Sequence, residues 1–259
     1  MADIERWSVE RDAAETYESV LVPALFEEWA PRMLAAGNLR DGDHFIDVAC
    51  GTGVVARHAI KRIGRRGRVV GLDRSEAMLG VARRVEPDVE WRLGDATALP
   101  FADESFDVAV CQAGLMFIQD RIRAFGEMRR VLRRGGRLAV QVWAISEGQD
   151  AFAEIVEKHA GKEAADHYRA PWSLSDPDQL IGLAHAGGFP NAELRTEPGV
   201  ARFASIASFI AAETETLIHG DVDTDRLVAD TAEAFAPYQA ADGTLTIPEP
   251  GHVVTATRT

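Results

Sequence analysis

Apolar and polar positions along the chain fall into blocks that predict alternating strands and helices. Before residue 37, apolar residues recur at helical spacing, which predicts a helix over 12–36 that Pro23 and Pro31 interrupt. Strands are predicted over 44–49, 68–72, 89–93, 106–111 and 137–143, with helices over 54–63, 75–85 and 121–132 between them. This alternation indicates an α/β fold whose parallel sheet carries helices on both faces.

Beyond residue 145 the pattern is less regular. Helices are predicted over 152–159, 176–186 (entered through Ser173 or Ser175), 205–218 and 225–236, with a strand over 192–195 and a strand, turn and strand over 243–257. No linker separates two domains. We therefore expect one domain over 1–259, comprising an N-terminal helical cap (1–36), a ligand-binding core (37–145), insertions that cover the ligand (146–240) and terminal strands (241–259).

A glycine turn follows the first predicted strand and carries most of the functional information. Gly51 and Gly53 allow a tight turn and close approach of a ligand before the next helix begins. The same segment matches the dinucleotide pattern G-x-G-x-x-A, and Asp73 stands where a ribose-binding acid belongs. A nicotinamide-dependent oxidoreductase is therefore the first alternative to weigh.

Asp47, just before this turn, argues against a dinucleotide. A dinucleotide site presents its glycine turn to a pyrophosphate, which a nearby carboxylate would repel. S-adenosylmethionine carries an ammonium and a sulfonium instead, and both attract an acid. Asp73 can accept hydrogen bonds from ribose hydroxyls, and Asp95 can accept one from an adenine amino group.

Five segments in order resemble the class I methyltransferases, most closely those of ubiquinone and menaquinone biosynthesis and of bacterial secondary metabolism. They are D-V-A-C-G-T-G (47–53), G-L-D-R-S-E-A-M-L (71–79), G-D-A-T-A-L-P-F (94–101), F-D-V-A-V-C-Q (106–112) and V-L-R-R-G-G-R-L (131–138). The resemblance implies a Rossmann-like, doubly wound sheet of seven strands, mostly parallel, in which 253–257 supplies an antiparallel last strand. It also implies S-adenosylmethionine as the cofactor.

The resemblance further implies a set of cofactor-binding residues. Asp47 would anchor the methionine end, Asp73 would hold the ribose, and Asp95 would bind the adenine edge. The other members of the set are Ala49, Gly51, Gly53, Arg74, Met78, Ala96, Cys111 and Gln112. Each acid also has a structural interpretation, as a loop cap (Asp47), a helix N-terminal charge (Asp73) or a turn former (Asp95). The side chain of Cys111 is expected to act as a small buried hydrophobe.

Aromatic and other apolar residues of the N-terminal helix, the ends of the fourth and fifth strands and the later insertion predict an apolar pocket for the methyl acceptor. The candidates are Tyr17, Met116, Phe117, Trp143, Tyr168 and Trp172. His167 is a weak candidate for a catalytic base, and no catalytic residue is otherwise assigned. None of the histidines has the spacing of a metal site.

The composition of the chain restricts the classes of partner that we expect for it. The 259 residues carry a formal net charge of −13, which argues against a nucleic-acid partner. The two cysteines predict no disulfide framework, and with no signal peptide or membrane span in the sequence we expect a cytoplasmic protein. The oligomeric state is left open, and a homodimer is one of the states allowed.

The predicted reaction is methyl transfer, by in-line displacement, to a small, largely apolar or aromatic molecule. Proximity, orientation and exclusion of water would drive it without an obligatory nucleophilic side chain. Two alternatives stay open: a protein that binds S-adenosylmethionine without methylating, and the dinucleotide-dependent oxidoreductase. The second would need a reactive pair such as tyrosine and lysine at close spacing, which Tyr17, Tyr168 and Tyr238 do not provide.

Overall fold

A seven-stranded sheet forms the centre of the protein in the computed structural model, which describes residues 11–218 and 223–259. Its strands are β1 (His44–Val48), β2 (Arg68–Asp73), β3 (Glu90–Leu93), β4 (Phe106–Gln112), β5 (Leu132–Trp143), β6 (Glu193–Glu197) and β9 (Gly251–Thr257). Their order is β3-β2-β1-β4-β5-β9-β6. The first five strands are parallel, and β9 lies antiparallel between β5 and β6. The predicted α/β class, strand number and antiparallel last strand are confirmed.

Nine α-helices are described, most of them beside the sheet. They are α1 (Arg11–Thr16), α2 (Trp29–Ala36), α3 (Val54–Ile60), α4 (Glu76–Val85), α5 (Arg121–Val131), α6 (Glu147–Tyr168), α7 (Pro177–Ala186), α8 (Ile206–Thr216) and α9 (Thr224–Ala234). Ser75 caps α4 as predicted, accepting the Met78 N–H. Helix α7 lies within the predicted 176–186, but its predicted entry through Ser173 or Ser175 is wrong, because Asp176 caps it with two backbone hydrogen bonds.

The N-terminal segment is less regular than the single helix predicted over 12–36. A π-helix, Tyr17–Phe26, lies between α1 and α2 and contains Pro23. Proline has no N–H and its ring crowds the carbonyl four residues earlier, so a wider turn relieves both effects. The Glu27 N–H accordingly donates to the Val22 carbonyl, five residues back, at 2.8 Å. The trajectory of this segment is therefore set by the proline.

A second, two-stranded sheet lies outside the main one. The short strand β7 (Val200–Phe203), which was not predicted, pairs antiparallel with β8 (Leu245–Pro248). The prediction of a strand, turn and strand over 243–257 therefore has the right elements, but β8 and β9 belong to different sheets. Helix α6 is also longer than the predicted 152–159, and Gly161 interrupts it at a φ of 83°.

These outer elements cover the carboxyl ends of the central strands. Helix α1 packs against both α4 and α8, and β7 packs against the π-helix. An ion pair at 3.0 Å joins Glu18 of the π-helix to Arg57 of α3. Trp29 of α2 is fully buried among the core residues. The N-terminal segment is thus fixed above the glycine turn on one side and beside α8 on the other. Within the described part of the chain, no helix is long and apolar enough to cross a bilayer.

Candidate functional site

A cavity of about 820 Å³ lies over the carboxyl ends of β1, β2 and β4. This is the edge at which open α/β sheets bind their ligands. Five residues predicted to bind the cofactor line it, namely Ala49, Gly51, Asp73, Arg74 and Met78. Four residues predicted for the acceptor also line it, namely Tyr17, Phe117, Trp143 and Trp172, together with His167. One continuous space therefore brings together residues from both predicted sets.

Backbone in the left-handed region surrounds the floor of this cavity. Ala49 after β1 has a φ of 57° and Ala113 after β4 has a φ of 51°, although neither is glycine. Gly51 has a φ of 55° and lies against the ring of Tyr17. Such conformations cost energy and cluster at ligand sites, where the surrounding structure holds them in place. The strained positions are located where the two neighbouring strands turn away from the sheet.

Gly53 serves a different purpose, because it does not line the cavity. It caps α3 at a φ of 88°, and a Cβ added there would come within 2.1 Å of the Trp91 indole. Only glycine suits both the backbone conformation and this close approach. Gly53 therefore supports the turn through its backbone conformation and its packing against Trp91, without contacting the cavity.

Asp73 closes the glycine turn and faces the cavity. Its carboxylate accepts the Gly51 N–H and the Ser75 N–H, each at 2.8 Å. Burial raises the pKa of this carboxyl, while the backbone hydrogen bonds oppose that rise. A carboxylate has about four lone-pair sites, so capacity remains for ligand hydroxyls.

Asp47 lies behind the cavity wall. It is 1% exposed and accepts the Ala56 N–H at 3.0 Å, so it caps the first turn of α3. Burial raises the pKa of Asp47 to about 8, and the nearby Asp73 adds to the rise. The structural interpretation of Asp47 as a cap describes the contact present. Its assignment to the methionine end stays a prediction.

Four other residues of the predicted cofactor set also lie away from the cavity wall. Asp95 is exposed and accepts the N–H and the hydroxyl of Thr97, which lower its pKa. Ala96 beside it is buried. Cys111 is fully buried, and burial raises the pKa of its thiol to about 12. Gln112 donates its side-chain N–H to the Phe26 carbonyl, which joins β4 to the π-helix.

Aromatic rings line the side of the cavity towards β5. Tyr17 stacks on Phe26 with ring centroids 4.9 Å apart, and Phe26 lies 5.8 Å from Trp143. Phe203 of β7 and Phe209 of α8 extend this wall. The rings come from three distant parts of the chain, and together they form an apolar chamber next to the glycine turn.

Two residues predicted for the acceptor do not reach this chamber. Met116 is 2% exposed and packs within the core. Tyr168 is fully buried and donates its hydroxyl to Gln149, and it borders a smaller neighbouring cavity of about 440 Å³. Two further residues, the aromatic Trp7 and the histidine His219, lie outside the described residues.

Glu213 of α8 lines the cavity and was missed by the sequence analysis. It is 8% exposed, and burial together with the charge of Glu249 raises its pKa to about 8. A signal was present in the sequence. Ile206, Ile210 and Leu217 mark the apolar face of this helix, and Glu213 stands at the position in that pattern where an apolar residue is expected. Among the described residues, no cluster of histidine, cysteine or acidic side chains could hold a metal ion.

Comparison with known proteins decides the family. Residues 46–140 match the family model described as "Methyltransferase domain". A 2-phytyl-1,4-naphtoquinone methyltransferase of Thermosynechococcus vestitus is 35% identical over 166 residues, which are 58% of this chain and 74% of that protein. The chain belongs to the class I S-adenosylmethionine-dependent methyltransferases.

Other relatives agree with this assignment. A demethylmenaquinone methyltransferase of Staphylococcus carnosus is 29% identical over 66% of this chain and 78% of its own length. Among solved structures, phosphoethanolamine N-methyltransferase 2 of Haemonchus contortus superposes with a TM-score of 0.63 at 18% identity, over 98% of this chain and 59% of that one. At 18% identity, this last similarity shows only that the two proteins share a fold.

The cavity of this methyltransferase fits its cofactor on structural grounds. Ala49 and Gly51, both with left-handed backbone, line the cavity at the end of β1. The Asp73 carboxylate borders the same space and offers an acceptor for hydroxyl groups. Met78 of α4 supplies an apolar wall against which an adenine ring can pack.

Proposed function

We propose that this methyltransferase methylates a small, largely apolar acceptor that contains an aromatic ring. The observation that supports the proposal is the continuity of the cavity, which runs from the glycine turn to the chamber of Tyr17, Phe26, Trp143 and Phe209. Aromatic walls favour a flat apolar ring through offset stacked and edge-to-face contacts. The quinone substrates named for two relatives belong to the same chemical class.

Five residues on the cavity wall are proposed to hold S-adenosylmethionine: Ala49, Gly51, Asp73, Arg74 and Met78. When bound, the cofactor supplies a methyl group that is already activated on a positively charged sulfur. Asp73 would hold the ribose hydroxyls, and the backbone at Ala49 and Gly51 would accommodate the methionine end. The roles of Asp47, Gly53, Asp95, Ala96, Cys111 and Gln112 rest on the family resemblance.

The chain's own contribution to the reaction is proposed to be orientation and exclusion of water. The π-helix brings Tyr17 over Gly51 and Phe26 against Trp143, so one segment covers both halves of the cavity. Holding two reactants in attacking geometry accounts for a large part of such a rate enhancement. The chemistry therefore needs no nucleophilic side chain of the protein.

Several wider properties are proposals of the same kind. One is the division of a single domain into a cap (1–36), a core (37–145), insertions (146–240) and terminal strands (241–259). The charge of −13 supports a small-molecule acceptor over nucleic acid. Cys50 and Cys111 are buried free thiols, which suits a reducing cytoplasm. A homodimer would be tested by sedimentation.

Two measurements test the proposal. Calorimetry should show binding of S-adenosylmethionine and of its demethylated product, with no binding of NAD. Incubation with S-adenosylmethionine carrying a deuterated methyl group and a panel of reduced quinones, phenols and aliphatic metabolites should then yield deuterated product from the aromatic members. Binding of NAD alone would contradict the cofactor, whereas transfer to aliphatic members alone would contradict the acceptor class.

A further inference from the structure

A buried carboxyl group on the acceptor side of the cavity has one oxygen to which no group in the described part of the chain hydrogen-bonds. Glu213 lines this cavity with 8% of its surface exposed. Across residues 11–218 and 223–259, no group hydrogen-bonds to its Oε2 atom. Phe209, one helical turn earlier, and Thr216, three residues later, line the same cavity, so this face of α8 forms part of the chamber wall. Burying a polar atom unpaired is costly, which points to a ligand group as its partner.

The polar groups near Glu213 are already engaged with one another. Glu249 accepts the Trp172 indole N–H at 2.9 Å and a side-chain N–H of Gln149. Tyr168 donates its hydroxyl to the oxygen of the same Gln149. This chain of hydrogen bonds orders the polar layer beside the chamber, and the hydrogen bonds described leave Glu213 outside it.

Burial and the neighbouring charges together set the protonation state of Glu213. Glu249 and Tyr168 are its titratable neighbours in the polar layer, and His167 and Glu215 border the same cavity. Burial is the main cause that raises the pKa of Glu213 to about 8, and the negative charge of Glu249 adds to it. A carboxyl with this pKa can both donate and accept hydrogen bonds near neutral pH.

We propose that Glu213 binds a hydroxyl group on the aromatic ring of the acceptor and takes its proton during methyl transfer. This inference rests on the proposed function, since it assigns a substituent to the aromatic acceptor. The O–H bond of the acceptor breaks, and the proton passes to a carboxylate oxygen of Glu213. The electron pair of that bond stays on the oxygen and makes it the nucleophile that forms the new bond to the methyl carbon.

The acidity of such a hydroxyl matches the environment of Glu213. A phenol has a pKa of about 10, and a general base works best when its pKa lies near the working pH. An ordinary exposed glutamate, with a pKa of about 4.3, would be a much weaker base. A neutral hydroxyl suits both states of this carboxyl, because it can donate to the ionised form and accept from the protonated form.

Binding of small aromatic probes tests the recognition step. In complex with S-adenosylhomocysteine, the protein should bind 1-naphthol about tenfold or more tightly than 1-methylnaphthalene, as expected for a hydrogen bond to an ionisable group. Glu213→Leu should abolish this preference while leaving the affinity for 1-methylnaphthalene unchanged. Glu233→Gln, on the exposed side of α9, is the control and should bind like the unmodified protein. Circular dichroism and a thermal melt establish that each variant is folded.

The possible outcomes separate this inference from the proposed function. Equal affinity for naphthol and methylnaphthalene would overturn the role of Glu213 but leave an aromatic acceptor intact. Preference for 1-naphthylmethylammonium, lost in Glu213→Leu, would assign a cationic acceptor instead. If none of the three probes binds to a protein that binds S-adenosylhomocysteine, the aromatic acceptor itself is wrong and this inference falls with it.

Turnover tests the proton transfer. With 1-naphthol or 1,4-naphthohydroquinone, the rate should rise with pH and level off above about 8, because the base must be ionised. Glu213→Gln should lower kcat by roughly 10²-fold or more and remove that rise, with KM little changed, because the amide oxygen still accepts the hydroxyl. A variant with unchanged kcat and pH profile would overturn the catalytic role.

Discussion

Asp73 links the stability of the glycine turn to cofactor affinity, and Asp73→Asn tests both. The substitution keeps the size of the side chain but replaces one carboxylate oxygen by an NH₂ group. The Gly51 N–H and the Ser75 N–H donate to different oxygens of Asp73, each at 2.8 Å. Whichever oxygen becomes the NH₂ group, one of these two N–H groups loses its acceptor. One hydrogen bond to a charged group is therefore lost, at about 1.5–3 kcal/mol of unfolding free energy.

The loss of cofactor affinity should be of similar size. A ribose hydroxyl that donates to the carboxylate would lose a charged acceptor, which corresponds to a Kd for S-adenosylmethionine that is weaker by a factor of about 10–150. Calorimetry measures this Kd, and denaturant unfolding measures the stability. The sheet should survive, because Asp73 is the last residue of β2.

Asp176→Asn provides the matched control. Asp176 also accepts two backbone N–H groups, at 2.9 and 3.3 Å, but it caps α7 away from the cavity. Both N–H groups donate to the same oxygen, which an asparagine amide oxygen can replace, so this variant should keep its stability and bind S-adenosylmethionine normally. If a folded Asp73→Asn protein binds the cofactor within about twofold of the original, the assignment of Asp73 is refuted. If both variants lose affinity equally, the effect is one of general destabilisation.

Three further predictions concern the same cavity. Asp47→Asn should weaken binding of both S-adenosylmethionine and its demethylated product. Burial raises the pKa of Asp47 to about 8, and a bound cation favours its ionised form. Binding of S-adenosylmethionine to the unmodified protein should therefore tighten as the pH rises towards 8 and should release protons. Calorimetry in buffers of different ionisation enthalpy would show that the variant releases fewer protons. Gly53→Ala should cost roughly 2–5 kcal/mol of stability in chemical unfolding, since the new Cβ meets an indole ring at a φ of 88°, whereas Gly80→Ala, with open space around it, should be neutral or stabilising. Removal of residues 1–20 should abolish turnover, and a thermal melt distinguishes a folded, inactive protein from an unfolded one; normal turnover would mean that the cap is dispensable.

Much of the central sheet could be predicted because its evidence is local. Buried parallel strands appear as continuous apolar runs, and the predicted ends of β1, β2 and β4 lie within a residue of those observed. The short strand β7 has only four residues and pairs with a partner more than forty residues away, so no local pattern distinguishes it. The π-helix depends on how the chain accommodates Pro23, which periodicity does not reveal.

The functional site could likewise be predicted from the sequence only in part. Gly51 and Asp73 could be predicted because a strand, a turn and a helix place them at one edge of the sheet. Tyr168 was assigned to the acceptor because it is aromatic, but the interruption of α6 at Gly161 lets it pack, buried, against Phe152 of the same helix, with ring centroids 5.0 Å apart. The sequence marks Glu213 as an acid on the apolar face of its helix, but only the position of α8 over the cavity places it in the site.

The structure of the protein bound to S-adenosylhomocysteine tests the central claim most directly. The account predicts the ribose hydroxyls on the Asp73 carboxylate, the adenine against Met78, and the sulfur directed towards the chamber of Tyr17, Phe26 and Trp143. A ligand bound in the smaller cavity beside Tyr168 and Arg169, or one whose sulfur faces away from the aromatic chamber, would contradict it.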